Sequence, residues 1–529
     1  MTAADAVASA IDRYRSGKFG EAETLCRQVL AVQPQHADAL HVLGLIAHET
    51  GHFDAAVKLY DRAIALSHGN AQYHASRGRA LAALKRSEEA RQSYRQAIEF
   101  NPGLGNAYHG LGMLDYAQRD YAGAAWNFQA EIVCAPDWYA GHAQLANTLF
   151  QMDQVDAAIE SYRRALALNP NDASTHSNLG LALQDLDLLD EAIEHCERAI
   201  ALQPDFPSAH NHLALALLRK GDFAAGLAHH EWRWWVNDLR MGGHRFKQPP
   251  WRGEPLDGAR ILLHAEQGIG DMLQFLRYAP LVAARGGRVT IEVPPDLKQL
   301  AMSLEGVEQI VTVGEKLPEF DQHCAIMSLP LAFGTTLATI PAGAAYLAPP
   351  PALQAEWRAR LSSGASPRVG LIWAGRPEHR RDRDRSVPLA ALGPLADSGA
   401  TFYSLQKGPA AEQAKAPPAG MVLHELGDAL TDFADTAAAM GALDLIISVD
   451  TSPAHLAGAT GRPLWLLLPH APDWRWLRHR EDSPWYPTAR LFRQATRGDW
   501  TPVIARVAAD LRRLSAGDRS VLAPPKAPD

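Results

Sequence analysis

A pattern that repeats every 34 positions is the strongest constraint on how this 529-residue chain can fold. Proline recurs at five stations separated by multiples of 34, and His68 fills the one missing station: Pro34, Pro102, Pro136, Pro170 and Pro204. A period of this length is typical of a helix-turn-helix unit that stacks on copies of itself. Because proline has no N–H to continue the helical hydrogen bonds, each one is predicted to end the second helix of its unit.

Two further sites hold small residues in the same register. The first comprises Ala22, Ala56, Ala90, Ala124, Ala158, Ala192 and Gly226; the second comprises Gly44, Gly78, Gly112, Ala146, Gly180 and Ala214. Four successive units place an aromatic residue next to these sites: Tyr60, Tyr94, Phe128 and Tyr162. The pattern resembles the tetratricopeptide repeat. It predicts an α-solenoid over residues 1–240, with six repeats and a degenerate seventh.

The resemblance implies an extended groove, lined by first helices, that holds a protein segment. Gln144, Asn178 and His212 lie at equivalent places on three first helices. They either hydrogen-bond the backbone of a protein acceptor or simply face solvent, and the sequence leaves both interpretations open. We carry them forward as candidate acceptor-binding residues.

One register position holds a run of ring residues that invites a metal interpretation: His74, Tyr108, His142, His176 and His210. Equivalent residues of neighbouring repeats lie on the order of 10 Å apart, whereas zinc requires nitrogens within about 2.1 Å of one ion. We therefore favour packing histidines over metal ligands. The four cysteines, Cys26, Cys134, Cys196 and Cys324, lack C-x-x-C spacing and predict neither a zinc site nor disulfides.

Whole-chain composition excludes several classes of function. The formal charge of −8 is mild for this length, so nothing argues for nucleic acid or an anionic membrane as the main partner. The N-terminus lacks the basic and apolar segments of a leader, and the apolar run at 464–468 is far too short to span a membrane. We expect a cytoplasmic protein.

The end of the repeat array is rich in tryptophan. Trp232, Trp234 and Trp235 form more apolar surface than a terminal repeat should expose, so we expect them to be buried against the next domain. Residues 241–258, rich in glycine and proline, are predicted to be a linker.

From Ile261 onward, short apolar runs alternate with helical stretches, which predicts parallel sheets covered by helices. A Pro/Ala-rich passage at 340–351 divides the series, giving two Rossmann-like α/β domains at 259–351 and 352–513, with a disordered tail at 514–529. Glycines, acids and hydroxyls cluster after the strands, where ligands bind in such sheets. Trp474, Trp476, Trp485 and Tyr486 either stack on a ligand or form the seam between the domains, and we favour the seam.

The segment SVDTSPAH follows one of these strands. Thr451 or Ser452 can cap a helix that has Pro453 at its first position, and free N–H groups at such a start bind phosphate well. An ordinary capped helix explains the motif equally well.

A net basic loop, in a chain that is otherwise acidic, also favours phosphate binding. Five arginines lie between Gly375 and Ser386: Arg376, Arg380, Arg381, Arg383 and Arg385. Arginine pairs bidentately with phosphate oxygens, although a solvated charge run remains the alternative. The sequence Asp382-Arg383-Asp384 spells D-x-D, but the neighbouring arginines oppose a cation, so we favour ion pairs.

Four motifs in order resemble the GT-B glycosyltransferase domain of bacterial tetratricopeptide glycosyltransferases, which is similar to the heptosyltransferase family: GIGDMLQFLRYAP, WAGRPEHRRDRDRSVPL, SVDTSPAHLAGATGRPLW and DWRWLRHREDSPWYPTARLFRQ. The resemblance implies that Asp271 is the general base and that Gly268 and Gly270 belong to the donor site. It also implies that Arg385 faces the donor phosphates. Asp450, Thr451 and His455 match the family's donor-binding segment. Ser452 stands where the family has glycine, so the donor's identity does not carry over.

The opposing interpretation of Asp271 is a structural cap at a helix start. We favour the catalytic role and predict a metal-independent, inverting glycosyltransferase that needs no cofactor beyond its nucleotide-sugar donor. The acceptor would be a Ser or Thr hydroxyl of a protein in the repeat groove, with flagellin, which some members of the family modify, as the first candidate. The alternatives are a lipopolysaccharide-directed transferase and a protein-binding scaffold that has lost activity.

Overall fold

The computed structural model describes residues 2–236, 246–266, 268–341, 343, 345–362, 366–379 and 381–524. The chain separates into two compact units, residues 1–182 and 183–529. The second unit contains the last repeat helices together with both parallel sheets, so the boundary predicted at residue 240 lies inside it. Part of the predicted linker (237–245), Arg380 and the end of the tail (525–529) lie outside the described residues.

The N-terminal region is built from helices that alternate with short turns at the predicted 34-residue period. Their bounds are α1 Ala3–Arg15, α2 Phe19–Val32, α3 Ala37–Glu49, α4 Phe53–Leu66, α5 Ala71–Ala83, α6 Ser87–Phe100, α7 Gly105–Ala117, α8 Tyr121–Cys134, α9 Tyr139–Gln151, α10 Val155–Leu168, α11 Ala173–Asp185, α12 Leu189–Leu202, α13 Pro207–Lys220 and α14 Phe223–His230. Helices α1 to α12 form six pairs, and α13 with the short α14 forms the degenerate seventh repeat.

The small-residue sites fit against the aromatic residues as the sequence predicts. A methyl group at Gly78 would lie 2.8 Å from the Tyr94 ring, and one at Gly112 would lie 2.6 Å from the Phe128 ring. Such separations are too short for carbon atoms in contact, so the repeat requires a small residue there. Phe128 is completely buried.

The recurring histidines serve the backbone of the preceding repeat. Nε2 of His142 lies 3.0 Å from the carbonyl oxygen of Pro136, and His176 and His210 make the same contact with Pro170 and Pro204. Each ring satisfies a carbonyl near the end of the previous second helix, where no helical partner is available. This contact explains why a histidine recurs at the same position of successive repeats, and it requires no metal.

The tryptophan cluster differs from its prediction. Trp235 is 51% exposed, and Trp232 stacks on His210 with ring centroids 4.0 Å apart. These residues lie on a 3-10 helix, Glu231–Trp235, which has about three residues per turn. That spacing puts Trp232 and Trp235 on one side of the helix and Arg233, 2% exposed, on another.

Arg233 forms ion pairs with Glu266 and Glu231. Its Nε and Nη2 donate to the two carboxylate oxygens of Glu266 at 2.8 and 2.9 Å, and its Nη1 donates to Glu231 at 2.6 Å. Glu266 follows the first strand, so this ion pair fixes the end of the repeat array to the first sheet.

The first lobe is a parallel four-stranded sheet with the order β3-β2-β1-β4. Its strands are β1 Arg260–His264, β2 Arg288–Val293, β3 Val307–Thr312 and β4 Gln322–Ala325. The helical segment after β1 is interrupted: helix Ile269–Phe275 is followed by a 3-10 turn and by helix Ala279–Ala284, which has Pro280 in its first turn. Proline accounts for the break because it cannot donate to the preceding turn. Helices Lys298–Ala301 and Leu329–Ala332 complete the lobe.

The second lobe is a parallel six-stranded sheet with the order β10-β9-β8-β5-β6-β7. Its strands are β5 Arg368–Ile372, β6 Thr401–Ser404, β7 Leu423–Glu425, β8 Leu445–Val449, β9 Leu464–Leu468 and β10 Ala489–Arg493. Its helices are Pro351–Arg360, Asp382–Arg385, Phe433–Gly441, Ser452–Ala459 and Thr501–Ser515. Numbered within the lobe, the order is 3-2-1-4-5-6, as in Rossmann sheets. The sequence reading missed β7 and β10.

The seam interpretation of the C-terminal aromatics is confirmed for Trp474 and Trp485. Trp474 and Trp485 are at most 2% exposed and pack on Phe275 of the first lobe, while Tyr486 is 1% exposed beside His455. Phe223 of α14 also packs on Trp474 and Trp485, which joins the last repeat to the same cluster.

The prediction of a disordered tail is wrong for residues 514–522, which are folded. A 3-10 helix covers Arg519–Leu522, and Val521 is 3% exposed. Arg513 donates to Asp518, and that ion pair holds the segment next to the last helix. Among the described residues, no helix is both long and apolar enough to cross a bilayer.

Candidate functional site

A cavity of about 870 Å³ lies where loops from both sheets converge. It is lined by segments that follow β1, β5, β6, β8 and β9 at their carboxyl ends. In the second lobe, β5 and β8 are neighbours in the sheet, and the strand order reverses between them. Ligands of parallel α/β sheets bind at such a reversal, because the loops there diverge and leave a crevice.

Asp271 lies in the cavity wall and also caps its own helix. Its Oδ2 accepts a hydrogen bond from the Gly268 N–H at 3.1 Å, and its Oδ1 accepts one from Arg475. Burial raises the pKa of Asp271 above its ordinary value, while the Arg475 guanidinium opposes that rise. The structural-cap interpretation of Asp271 is confirmed, and its carboxylate also lines the cavity.

Gly270 allows the helix that carries Asp271 to approach the second lobe. A methyl group at Gly270 would lie 2.9 Å from Cδ2 of His455 and 3.7 Å from Cα of Ser452. Helices Ile269–Phe275 and Ser452–Ala459 therefore meet through a glycine. Each residue of the G-x-G-D motif has a structural place. Gly268 is the N-cap of the helix, Gly270 packs against His455, and Asp271 lines the cavity.

His455 is buried where the two lobes meet. Its Nδ1 lies 2.9 Å from the Tyr486 hydroxyl oxygen, and its ring stacks on Trp476 with centroids 5.3 Å apart. Burial lowers the pKa of His455 to about 3, and the charge of Arg475 contributes to the decrease. The ring is therefore neutral near pH 7.

The start of helix Ser452–Ala459 opens into the cavity. Thr451 is the N-cap residue but makes no side-chain capping bond, and Pro453 lies in the first turn. Thr451, Ser452 and Pro453 all line the cavity. The helix dipole makes this end favourable for negative charge.

Three arginines of the basic loop line the same cavity: Arg376, Arg381 and Arg385. Nη1 of Arg385 donates to the backbone carbonyl of Asp450 at 2.8 Å, and its Nε donates to Asp382 at 3.2 Å. The second acid of D-x-D, Asp384, pairs with Arg497 at 3.2 Å. Both acids are thus in ion pairs, one of them within the loop.

Two carboxylates close to Arg475 differ in their tendency to ionise. Burial and the charge of Asp473 raise the pKa of Asp450 above its ordinary value. Burial alone would also raise the pKa of Asp473, but the Arg475 guanidinium and its hydrogen bonds lower that pKa below its ordinary value. Asp473 is therefore the more easily ionised of the two.

Sequence reasoning missed two cavity residues of consequence, Arg475 and Lys407. Arg475 lies between Trp474 and Trp476, and no sequence motif marks it as a ligand-binding arginine. Lys407 lies within SLQKG, in the loop after β6, and its position past the carboxyl end of a strand was a usable signal. The preceding residue, Gln406, accepts the N–H groups of Trp373 and Ala374 at 3.0 and 2.9 Å and so fixes the loop after β5.

The candidate acceptor residues make hydrogen bonds with other residues of the repeats. Gln144 accepts a hydrogen bond from Asn147 at 3.1 Å, and Asn178 donates to Asn147 at 3.0 Å. His212 lies on α13, and its carbonyl oxygen accepts a bond from Gln184 at 3.1 Å. None of the three lines the cavity. Across the described part of the chain, no three acidic, histidine or cysteine side chains are grouped to hold a metal.

Comparison with known protein families identifies the repeats. The family described as tetratricopeptide repeat matches residues 7–71, 49–105 and 173–206, and that described as TPR repeat matches residues 146–187. These matches confirm a tetratricopeptide α-solenoid in the N-terminal region.

Among curated proteins, Protein FlbA of Caulobacter vibrioides is 26% identical over 96% of this chain and 84% of its own length. Human Protein O-mannosyl-transferase TMTC1 is 28% identical over 165 residues, which are 30% of this chain but only 19% of TMTC1.

Two solved structures are also similar. One is the APC/C Cut9–Hcn1 hetero-tetramer (22% identity, 41% of this chain and 43% of that chain, TM-score 0.38). The other is PilF of Pseudomonas aeruginosa (20% identity, 39% and 94%, TM-score 0.37).

Proposed function

We propose that the chain is a metal-independent, inverting glycosyltransferase with a GT-B catalytic region, related to the heptosyltransferases, that transfers a sugar from a nucleotide donor to a protein hydroxyl. The observation that carries the proposal is the meeting, in one cavity, of the Asp271 carboxylate with the start of helix Ser452–Ala459 and three arginines. A transferase name is also carried by one of the relatives, the human O-mannosyl-transferase.

The second lobe supplies the groups that a nucleoside diphosphate requires. Arg376, Arg381 and Arg385 provide positive charge, and the N–H groups at the start of helix Ser452–Ala459 provide hydrogen-bond donors. Gly268, Gly270, Asp450 and His455 also line this donor site. Extra bulk at Ser452, relative to the glycine of the family, would alter how the sugar lies.

Asp271 would act as the general base. It removes the proton of the acceptor hydroxyl as that oxygen bonds to the anomeric carbon, and the bond from the anomeric carbon to the diphosphate breaks with its electron pair on the leaving oxygen. Each carboxylate oxygen of Asp271 keeps a lone pair beyond its bond to Gly268 or Arg475. The cations neutralise the charge that develops on the leaving group, so the step needs no metal.

The repeats would deliver a protein acceptor. Tetratricopeptide arrays bind protein segments along their first helices, and Gln144, Asn178 and His212 remain the candidate contacts. Flagellin stays the first acceptor to test.

Binding and hydrolysis test the donor site. The purified chain is screened by thermal shift with ADP, UDP, GDP, CDP and CMP, because a ligand that binds the folded state raises the unfolding temperature. Release of nucleotide from ADP-heptose, UDP-N-acetylglucosamine and a CMP-linked nonulosonic acid is then measured. Asp271→Asn should slow release by about 100-fold or more. Asp428→Asn changes an exposed carboxylate outside the cavity and should have no effect. Full activity of Asp271→Asn would eliminate the proposed base.

The acceptor is tested in cells. Intact mass of flagellin from a strain lacking this chain should fall by the mass of the missing sugar. An unchanged mass excludes flagellin, and an altered lipopolysaccharide profile in the same strain would support the lipid-directed alternative. Absence of nucleotide release from every donor tested would favour a protein-binding scaffold.

A further inference from the structure

Arg475 connects the two lobes at the edge of the cavity. Its three guanidinium nitrogens donate to three different side chains: Nε to Gln274, Nη1 to Asp473 at 2.9 Å and Nη2 to Asp271. Two of these acceptors belong to the first lobe and one to the second. Only 7% of the Arg475 side chain is exposed.

Aromatic rings restrict the guanidinium further. The central carbon of Arg475 lies 4.7 Å from the centroid of Trp474 and 5.5 Å from that of Phe275. Its neighbour Asp473 accepts both the Arg475 side chain and its backbone N–H, the latter at 3.0 Å. Three hydrogen bonds and two rings leave a planar group little freedom to reorient.

We propose that Arg475 is a positioning residue for the reaction: it keeps the buried Asp271 carboxylate ionised and aims it into the cavity. This inference rests on the proposed function, because it assigns Arg475 a role only through Asp271. Arg475 was not part of the sequence-based site, and the contact joins residues 204 positions apart.

The charge balance around Asp271 supports this assignment. Burial disfavours the ionised carboxylate, and Asp473 disfavours it as well, whereas Arg475 and the more distant Arg233 favour it. His455 faces the same helix but is neutral because burial lowers its pKa to about 3. Of the two cations, Arg233 already holds Glu266 and Glu231, so Arg475 is the direct partner of Asp271.

The first test follows the pH dependence of nucleotide release from ADP-heptose, UDP-N-acetylglucosamine and a CMP-linked nonulosonic acid. In Arg475→Gln, burial is opposed only by the Gly268 N–H and the more distant Arg233, so the acid limb of the rate profile should move upward by about one pH unit or more. Arg475→Lys keeps a positive charge and should restore the acid limb, although with a lower maximal rate because one ammonium cannot hold three partners. Arg288→Gln removes an exposed arginine outside the cavity and serves as the control.

The second test needs no activity. Unfolding temperatures at pH 7.5 are measured for the unaltered chain, Asp271→Asn, Arg475→Gln and the double variant. Asp271→Asn should lower the unfolding temperature when Arg475 is present, and it should raise it in the Arg475→Gln background, where it removes an unpaired buried charge.

The two tests separate the possible failures. Additive changes in unfolding temperature, or an acid limb that Arg475→Gln leaves in place while the rate falls, would overturn the positioning role. Release that persists in Asp271→Asn would instead overturn the proposed base, whatever the unfolding temperatures show. If none of the donors is hydrolysed, the proposed function fails while the double-variant cycle still decides whether Arg475 holds Asp271.

Discussion

Gly270 and His455 touch across the two lobes, and the His455 ring occupies the space that a side chain at Gly270 would need. Both residues are part of the predicted donor site, yet their contact is one of packing. The distance between the two helices is therefore set by the absence of a single Cβ atom.

Gly270→Ala should loosen this contact. The added methyl group would lie 2.9 Å from His455 Cδ2, so the ring or the helix must shift at a cost of about 1–3 kcal/mol. We expect a lower unfolding temperature and reduced nucleotide release. Gly441→Ala is the matched control because its Cβ would meet no atom within 4 Å. Equal effects of the two substitutions would show that the contact is unimportant.

Arg385→Ala should weaken nucleoside diphosphate binding by about 10-fold or more, the loss expected for one charge-assisted hydrogen bond. Arg383→Ala is the comparison: Arg383 belongs to the same loop but does not line the cavity and is exposed. Titration calorimetry with ADP and UDP measures both variants. If Arg383→Ala weakens binding as much as Arg385→Ala, binding depends on the net charge of the loop and not on the position of Arg385.

His455 should make the chain less stable in acid. Its folded-state pKa is about 3, below the ordinary value near 6.5, so the unfolded chain binds a proton that the folded chain does not. Stability is therefore lost as the pH falls from about 6.5 toward 3, and between pH 7.5 and pH 5 the loss from this group is about 2 kcal/mol. His455→Gln should flatten the pH dependence of denaturant unfolding over that range, whereas His424→Gln, on the exposed β7, should not.

Arg233→Ala should be strongly destabilising, since it leaves Glu266 buried without its cation. The expected loss is about 3–5 kcal/mol. Arg260→Ala removes an exposed arginine that pairs with Asp321, and its cost should be small because water screens an exposed ion pair. Chemical unfolding of the full chain measures both, and a small effect at Arg233 would contradict its role in fixing the repeats to β1.

Phe128→Ala should destabilise the repeats by about 3–5 kcal/mol, because the completely buried ring fills the space beside Gly112. Trp126→Ala lies on the same helix but removes a side chain that is 65% exposed, and it should change stability by about 0.5 kcal/mol or less. Loss of helical circular dichroism on heating reports the difference. Similar losses would mean that the register assigned to α8 is incorrect.

Much of the fold was predictable because its signals are local. The 34-residue period fixed the helix pairs and their small-to-aromatic contacts, such as Gly78 against Tyr94. Continuous apolar runs predicted β8 and β9, which are buried on both faces. The short strand β7 and the arginine-containing β10 were not predicted, because neither is a continuous apolar run.

The candidate site likewise has a part that local sequence signals predict and a part that they do not. The sequence alone placed Asp271, the basic loop and Thr451 after their strands, because the carboxyl ends of parallel strands must share an edge. Only the tertiary structure decided that Arg475 reaches Asp271, that Trp235 is exposed while Arg233 is buried, and that Gly270 meets His455. Those outcomes depend on which surfaces come together when distant segments pack, and a repeat or strand pattern carries no record of such pairings.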